Sequence, residues 1–246
     1  MTTSESDAAA TRPRIVVLHG ALGSAEAMRP VIAALGALGQ VTVLEFPGHG
    51  STPLGEGEAF GMETFAVALE RAVRRVPGPA PFVFGYSMGG YAALLLASRA
   101  PELLAGVVTL GTKFEWTPEF AADEALRLDA DALMEKVPRF ASLLEARHEG
   151  AGGWRPLLAR TAALLHDLGS APMLTPAQLN AVSIPVCIAA GTRDDSLSAA
   201  ECKRVAAAIP DAIYVALQDV PHPVERAPAD MLVSIMRSLI ARTEQA

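Results

Sequence analysis

The chain has 246 residues and a formal net charge of −7 at neutral pH, and 51% of its residues are hydrophobic. This length can bury the core of one α/β domain, whereas the acidic balance excludes nucleic acid as the expected partner, because such a partner requires a basic surface. No apolar run approaches the roughly 18 residues that a membrane-spanning helix needs, so we expect no membrane partner.

Residues 1–11 are polar and rich in alanine, without the basic start and apolar stretch of a signal peptide. This composition predicts a disordered tail. Cys187 lies in an apolar, strand-like run and Cys202 in a helix-like run, so both are expected to be free thiols. These features favour a reducing compartment and a cytoplasmic location.

The first predicted strand is Ile15–Leu18, an unbroken apolar run that is typical of a strand buried on both faces of a parallel sheet. The loop His19-Gly20-Ala21-Leu22-Gly23 follows it directly. Glycine lets a backbone N–H approach a substrate closely, so this loop predicts an oxyanion donor, with Ala21 as first candidate and Leu22 as second. An ordinary strand-to-helix turn is the alternative interpretation.

A helix is predicted to begin at Ser24 or Ala25 and to end near Leu38, and a second strand covers Val41–Leu44. Strand, helix and strand in this order indicate a parallel crossover. The following turn contains His49, which is better explained as a side chain that fixes the turn than as a catalytic base.

The central part of the sequence is the stretch around Ser87. After a helix at Met62–Val76, the run Phe82–Phe84 predicts a buried strand, and the alanine- and leucine-rich run Ala92–Ala97 predicts a helix. Only Gly85-Tyr86-Ser87-Met88-Gly89 separates these two elements, so the chain must turn sharply at the serine. Such a turn exposes the Ser87 hydroxyl as a nucleophile and leaves the Met88 N–H able to stabilise negative charge.

Between the predicted strands Gly106–Gly111 and Ile184–Ala190, residues 112–183 show helical periodicity and no strand pattern. An all-helical insertion at this place predicts a cap, or lid, over the carboxyl ends of the strands, where parallel sheets bind ligands. Trp116 is expected to line an apolar pocket beneath the cap, and packing within the cap is the alternative. His148 and His166 are predicted to be exposed.

The last strands supply the remaining candidates. Ile184–Ala190 leads to Asp194 and Asp195, and a strand at Ala212–Leu217 leads to His222, before a final helix from about Ala229 to Arg242. A serine nucleophile needs a base to accept its proton and a carboxylate to orient that base. Asp194 is favoured because it lies nearer the strand end, whereas Asp195 could cap the next helix.

The sequence lacks the glycine-rich motifs that bind dinucleotides or phosphates, and it lacks cysteine and histidine pairs at metal-ligand spacing. We therefore expect no cofactor and no metal, and chemistry by side chains alone on a small-molecule substrate. The sequence leaves the oligomeric state open.

Five motifs in this order resemble the α/β-hydrolase superfamily, over nearly the whole chain from Ile15 onward. They are the strand end His19-Gly20, the turn Phe46–Ser51, the nucleophile elbow Gly85–Gly89, the acid turn Gly191–Asp194, and the stretch containing His222, Glu225 and Pro228. Family members usually carry two antiparallel strands ahead of the His-Gly strand, and only about fourteen mostly polar residues precede Ile15. The resemblance therefore implies a sheet shortened at that edge.

The resemblance implies an α/β fold with a mostly parallel sheet of about six strands, flanked by helices. Residues 12–111 and 184–246 would form the core, and residues 112–183 the helical cap. The expected catalytic residues are Ser87, Asp194 and His222, the expected oxyanion donors are Ala21 and Met88, and the expected substrate-binding residues are Leu22, Tyr86 and Trp116.

These features predict a serine hydrolase that cleaves a small, mostly hydrophobic carboxylic ester, thioester or lactone through an acyl-enzyme. Two alternatives stay open. One is an enzyme of this superfamily with other chemistry, such as a carbon–carbon bond hydrolase, a lyase or a cofactor-free perhydrolase. The other is a binding protein without activity, since related folds serve as hormone receptors. Epoxide hydrolases and dehalogenases are disfavoured, because those members of the superfamily place Asp at the position of Ser87.

Overall fold

A computed structural model describes residues 12–243, and the tail predicted at residues 1–11 lies outside this range. Within residues 12–243, six strands form one parallel sheet in the order β2-β1-β3-β4-β5-β6. The strands are β1 Arg14–Leu18, β2 Gln40–Leu44, β3 Phe82–Tyr86, β4 Gly106–Leu110, β5 Val186–Gly191 and β6 Ala212–Leu217. The predicted α/β fold and the shortened sheet are both confirmed.

The helices of the described residues alternate with the strands, except between β4 and β5, where five helices follow one another. They are α1 Arg29–Leu35, α2 Met62–Arg75, α3 Met88–Ala97, α4 Pro118–Leu126, α5 Ala130–Lys136, α6 Pro138–His148, α7 Trp154–Ser170, α8 Pro176–Ala181, α9 Ala199–Ala208 and α10 Ala229–Thr243. Short 3₁₀ turns precede α1, β4, α7 and α10. No helix within residues 12–243 is both long and apolar enough to cross a bilayer.

Helices cover both faces of the sheet. Successive side chains of each strand point to opposite faces, so each strand packs against helices on both sides. In β1, Ile15 and Val17 pack with side chains of α1 and α10. Val16 and Leu18 pack in a second cluster with side chains of α2, α3 and α9. Burial on both faces explains why the inner strands β1, β3, β4 and β5 read as continuous apolar runs, whereas the edge strands β2 and β6 are partly exposed.

The central position of β3 places its end beside two neighbouring strands. Gly85 lies beside Leu18 of β1, and Tyr86 lies beside Leu110 of β4. Because all strands run in parallel, the loops after β1, β3, β4, β5 and β6 leave the sheet at the same edge. The candidate residues of all these loops can therefore meet there.

Two prolines set helix boundaries, and the first of these boundaries differs from the predicted one. The helix predicted from Ser24 or Ala25 to Leu38 is a 3₁₀ turn at Glu26–Met28 followed by α1, which carries Pro30 in its first turn. Likewise, Pro138 opens α6 and separates it from α5. Proline lacks the N–H that a residue deeper in a helix would donate, so it is accommodated in a first turn.

Candidate active site

Ser87 is the single residue between β3 and α3, and its backbone is strained. Its φ of 51° and ψ of −117° lie outside the regions that residues with side chains ordinarily occupy. The Ser87 N–H donates to the carbonyl of Leu110 at 2.8 Å, and Thr112 Oγ1 donates to the Ser87 carbonyl at 2.9 Å. The end of β4 therefore holds Ser87 in this conformation from both sides.

The sharp turn also depends on the close approach of two glycines. A Cβ atom on Gly85 would lie 2.5 Å from the Cα of Gly90, which is far inside a normal carbon–carbon contact. The first turn of α3 can pack directly on the end of β3 only because neither residue has a side chain.

Asp194 and His222 come from the loops after β5 and β6 and form a hydrogen-bonded pair. His222 Nδ1–H donates to Asp194 Oδ2 at 2.8 Å, and the Asp194 side chain is only 2% exposed. This bond assigns the proton to Nδ1, which leaves Nε2 as the basic atom of the ring. Burial alone would raise the pKa of Asp194, but hydrogen bonds from His222 and Ser196 outweigh it and hold that pKa below its usual value.

The two adjacent aspartates differ in their surroundings. Asp195 is exposed, whereas Asp194 contacts the imidazole of His222. The suggested role of Asp195 as the cap of α9 is wrong. Ser198 caps that helix instead, since its side chain accepts a hydrogen bond from the Glu201 N–H at 3.1 Å.

Ser196 is a polar neighbour of this pair that the sequence analysis missed. Its hydroxyl donates to Asp194 Oδ1 at 2.6 Å and lies 2.9 Å from His222 Nδ1, and its N–H donates to Asp194 Oδ1 at 3.0 Å. The signal was present in the sequence. An aspartate often accepts a hydrogen bond from the N–H two residues further on, and Asp194-Asp195-Ser196 has this spacing.

One cavity of about 260 Å³ brings the sequence-predicted site residues together at the carboxyl edge of the sheet. Ala21, Leu22, Tyr86, Ser87, Met88, Trp116 and His222 all line it. Asp194 does not line this cavity; its carboxylate contacts the Nδ1 side of the His222 ring. Within the described residues, no hydrogen bond joins the Ser87 hydroxyl to His222, although both side chains border the same space.

The two candidate oxyanion donors border the cavity from different elements. Met88 is the first residue of α3, where a backbone N–H has no acceptor within its helix. Ala21 lies in a turn closed by a hydrogen bond from the Gly23 N–H to the Gly20 carbonyl at 3.0 Å, and Leu22 in this turn has a φ of 57°. Within residues 12–243, neither the Ala21 N–H nor the Met88 N–H donates a hydrogen bond to the backbone.

Tyr86 and Trp116 form part of the cavity wall. The Tyr86 hydroxyl donates to the carbonyl of His222 at 3.1 Å, and the centroids of the two rings are 5.3 Å apart. Burial raises the pKa of Tyr86, so its hydroxyl stays a donor at neutral pH. The Trp116 ring packs edge-on against Phe120, with their centroids 5.6 Å apart.

The other histidines of the chain do not line this cavity. His49 does fix its turn, as predicted: its Nδ1 lies 3.2 Å from the Pro47 carbonyl, and its backbone pairs with Thr52. The prediction that His148 is exposed is wrong, because its side chain is fully buried against two loops of the core. His166 is exposed, as predicted.

This arrangement corresponds to a known family. Residues 13–150, more than half of the chain, match the family model of the alpha/beta hydrolase fold. The chain belongs to this family. The matched range contains the loop of Ala21 and Leu22, the strained serine and part of the helical segment, whereas Asp194 and His222 lie beyond it.

Two curated relatives match part of this α/β-hydrolase chain. An esterase of Mycobacterium tuberculosis is 29% identical over 136 residues, which cover 54% of this chain and 45% of the relative. A pimeloyl-[acyl-carrier protein] methyl ester esterase of Sodalis glossinidius is 29% identical over 109 residues, which cover 44% of this chain and 38% of the relative. The chain thus spans less than half of the length of these relatives.

Solved α/β-hydrolase structures extend the similarity to nearly the whole chain. A putative lipase from Acinetobacter baumannii superposes with a TM-score of 0.79, covering 96% of this chain and 85% of the other at 19% sequence identity. At that identity the superposition shows the fold alone.

Proposed function

We propose that this protein is a serine hydrolase that cleaves a small, mostly hydrophobic carboxylic ester, thioester or lactone. The observation that carries the proposal is the 2.8 Å hydrogen bond between His222 and the buried Asp194, at a cavity that also contains the strained Ser87. The two relatives described above have names that describe esterases, which supports an ester as the substrate class.

The first half of the proposed reaction transfers the acyl group of the substrate to Ser87. His222 Nε2 accepts the proton of the Ser87 hydroxyl while the serine oxygen attacks the substrate carbonyl carbon. The N–H groups of Ala21 and Met88 stabilise the negative oxygen of the tetrahedral intermediate. His222 then protonates the leaving alcohol or thiol, and the acyl group stays on Ser87.

The second half of the reaction repeats the first with water as the nucleophile. His222 Nε2 accepts a proton from water, which attacks the acyl carbonyl, and the proton is returned to the Ser87 oxygen as it leaves. The Asp194 carboxylate stays ionised throughout and stabilises the imidazolium that forms in each half-reaction.

The cavity wall favours a substrate that is mostly apolar and uncharged. Helix α7 contributes leucines to the wall, namely Leu164, Leu165 and Leu168. The charged wall residues are paired: Lys113 Nζ lies 2.6 Å from a carboxylate oxygen of the buried Glu201, and Arg127 lies 2.9 Å from Glu124. A substrate charge would therefore have to compete with these ion pairs.

The same wall supports the role proposed for the helical segment. Residues 112–183 would act as a cap over a core made of residues 12–111 and 184–246. Helices α4 and α7 of this segment supply much of the wall opposite Ser87. Such a cap would exclude water from the acyl-transfer step and limit the size of the acyl group.

Ser87→Ala tests the proposed nucleophile. We expect the variant to lose fluorophosphonate labelling and nearly all turnover of short p-nitrophenyl esters, because the proposed acyl-enzyme forms on the Ser87 oxygen. Ser170→Ala, at the exposed end of α7, is the matched control and should behave as the unsubstituted chain. Full turnover by Ser87→Ala would contradict the proposal.

A substrate panel separates the proposed activity from the other chemistries of this fold. The panel contains p-nitrophenyl esters, acyl thioesters, lactones and vinylogous diketones, each tested with the unsubstituted chain. We expect the highest kcat/KM with short or medium acyl esters. Preferred cleavage of the diketones would assign the protein to carbon–carbon bond hydrolysis, and the absence of both fluorophosphonate labelling and turnover would favour a binding protein.

A further inference from the structure

His148, the last residue of α6, connects the helical segment to two loops of the core. The Gly50 N–H donates to His148 Nδ1 at 2.9 Å, and His148 Nε2 lies 3.0 Å from the carbonyl oxygen of Leu22. Since Nδ1 accepts a hydrogen bond, the proton of the neutral ring is on Nε2, which donates to Leu22. Burial lowers the pKa of His148, which is consistent with a neutral ring.

Leu22 is held by the helical segment at both its backbone and its side chain. Arg147 Nη1 donates to the same Leu22 carbonyl at 2.8 Å. The Leu22 side chain packs against a cluster of α6 and α7 residues, namely Ala141, Leu144, Trp154 and Leu158. These contacts hold a non-glycine residue at a φ of 57°, a conformation that is otherwise unfavourable.

Two peptide groups link this carbonyl to the proposed oxyanion donor. The Leu22 carbonyl and the Gly23 N–H belong to one peptide plane, and this N–H donates to the Gly20 carbonyl at 3.0 Å. The Gly20 carbonyl in turn shares a plane with the Ala21 N–H. Fixing the Leu22 carbonyl therefore fixes the direction in which the Ala21 N–H points.

We propose that His148 is a positioning residue that aligns the Ala21 N–H with the oxyanion through the Leu22–Gly23 and Gly20–Ala21 peptides. This inference rests on the proposed hydrolase function. Its consequence is that the oxyanion site is complete only when α6 is seated on the core. The helical segment thus contributes to the rate of the chemical step as well as to substrate selection.

The test compares His148→Leu with His148→Gln in the full chain. Leucine removes both ring hydrogen bonds, whereas the glutamine amide can accept from the Gly50 N–H and donate to the Leu22 carbonyl. We expect kcat for a p-nitrophenyl ester to fall roughly 10- to 100-fold in His148→Leu, less than the loss of a whole oxyanion donor, with KM within about twofold. His148→Gln should recover most of the rate. His166→Leu, at an exposed histidine of α7, should leave both constants unchanged.

A second measurement reports on the hydrogen bonds of the Gly50 and Gly23 N–H groups and does not depend on activity. Amide hydrogen exchange at Gly50 and Gly23, measured by NMR, should accelerate in His148→Leu and stay near the unsubstituted rates in His148→Gln. Far-ultraviolet circular dichroism and thermal unfolding confirm that each variant is folded.

The outcomes distinguish this inference from the proposed function. Fluorophosphonate labelling of the unsubstituted chain together with an unchanged kcat in His148→Leu would overturn the positioning role alone. Equal loss of rate in the leucine and glutamine variants, with unchanged exchange at Gly23, would also overturn it. Absence of labelling and turnover in the unsubstituted chain would instead overturn the proposed function.

Discussion

The Asp194 carboxylate is held by three hydrogen bonds from two residues. It accepts from His222 Nδ1, from the Ser196 hydroxyl and from the Ser196 N–H, at 2.8, 2.6 and 3.0 Å. A carboxylate that accepts this many hydrogen bonds stays ionised despite its burial. It can therefore stabilise the positive charge that His222 would acquire in the proposed reaction.

Replacing Asp194 by Asn should lower kcat roughly 1,000- to 10,000-fold, because the amide removes the charge and can favour the wrong tautomer of His222. Initial rates on a p-nitrophenyl ester measure the effect. Asp195→Asn is the matched control, and we expect its rate within about twofold of the unsubstituted chain, since its side chain is exposed. The reverse order of the two variants would assign the acid to Asp195.

Ser196→Ala should have a smaller effect. It removes the hydroxyl donor but keeps the backbone N–H donor and the ionic partner of His222. We expect kcat/KM to fall roughly tenfold, which corresponds to the low end of about 1.5 to 3 kcal/mol for a hydrogen bond to a charged group. An unchanged kcat/KM would show that the hydroxyl bond contributes nothing to the orientation of Asp194.

Gly111, which follows β4, lies so close to the Asp194–His222 pair that a side chain there would crowd both residues. Gly111 has a φ of 64°, and a Cβ atom there would lie 3.1 Å from Asp194 Oδ2 and 3.3 Å from His222 Nδ1. The missing side chain at the end of this strand thus lets Asp194 and His222 pair close to the Gly111 backbone.

Gly111→Ala should reduce both activity and stability. The new methyl group crowds the Asp194–His222 pair, so we expect at least a tenfold loss of kcat/KM, and the positive φ should cost about 1 to 2 kcal/mol in the free energy of unfolding. Gly57→Ala separates the two effects, because Gly57 has a φ of 72° and nothing within 4 Å of its Cβ position. That control should lose stability in urea unfolding and keep its activity.

Strands, helices and turns could be predicted from the sequence where the local residue pattern determines the structure. Features that depend on a contact with a residue far along the chain could not be predicted. The apolar runs at β1, β3 and β4 and the glycines around Ser87 indicate both the strands and the sharp turn. The burial of His148 could not be predicted, because helical periodicity says nothing of the Gly50 N–H that lies 98 positions earlier in the chain. Ser196 lies between these two cases. Its spacing from Asp194 could have predicted their hydrogen bond, but nothing local predicts that its hydroxyl lies near His222.

At the scale of the whole molecule, three buried histidines couple folding to pH. His19, His49 and His148 are fully buried, and their rings lie in contact, with centroids 4.9 Å apart for His19 and His49 and 6.0 Å apart for His49 and His148. Burial lowers the pKa of each, to about 4 for His19. In the unfolded chain the same rings titrate near 6.5.

The free energy of unfolding should therefore fall as the pH is lowered from about 6.5 towards 4. In this window the unfolded chain binds protons that the folded chain does not, and each such histidine contributes a slope of up to about 1.4 kcal/mol per pH unit. Above pH 6.5 the contribution is fully present. Asp194 and Glu45, whose pKa values are lowered by hydrogen bonds in the fold, act only at lower pH.

Urea unfolding at pH 7, 6 and 5 measures this slope. His148→Gln removes one of the three titrating rings, so its free energy of unfolding should depend less steeply on pH than that of the unsubstituted chain. Ser170→Ala, at an exposed side chain that does not titrate, should leave the slope unchanged. A free energy that stays constant between pH 7 and pH 5 would contradict the prediction.

The order of the strands also bears on when the proposed site becomes complete during synthesis. A nascent chain that has left the ribosome as far as β4 contains the four neighbouring strands β2, β1, β3 and β4, which include the strands on both sides of Ser87. It still lacks β5 and β6, and with them the loops that carry Asp194 and His222. The proposed nucleophile would therefore stay inert on the growing polypeptide until these two strands join one edge of the sheet.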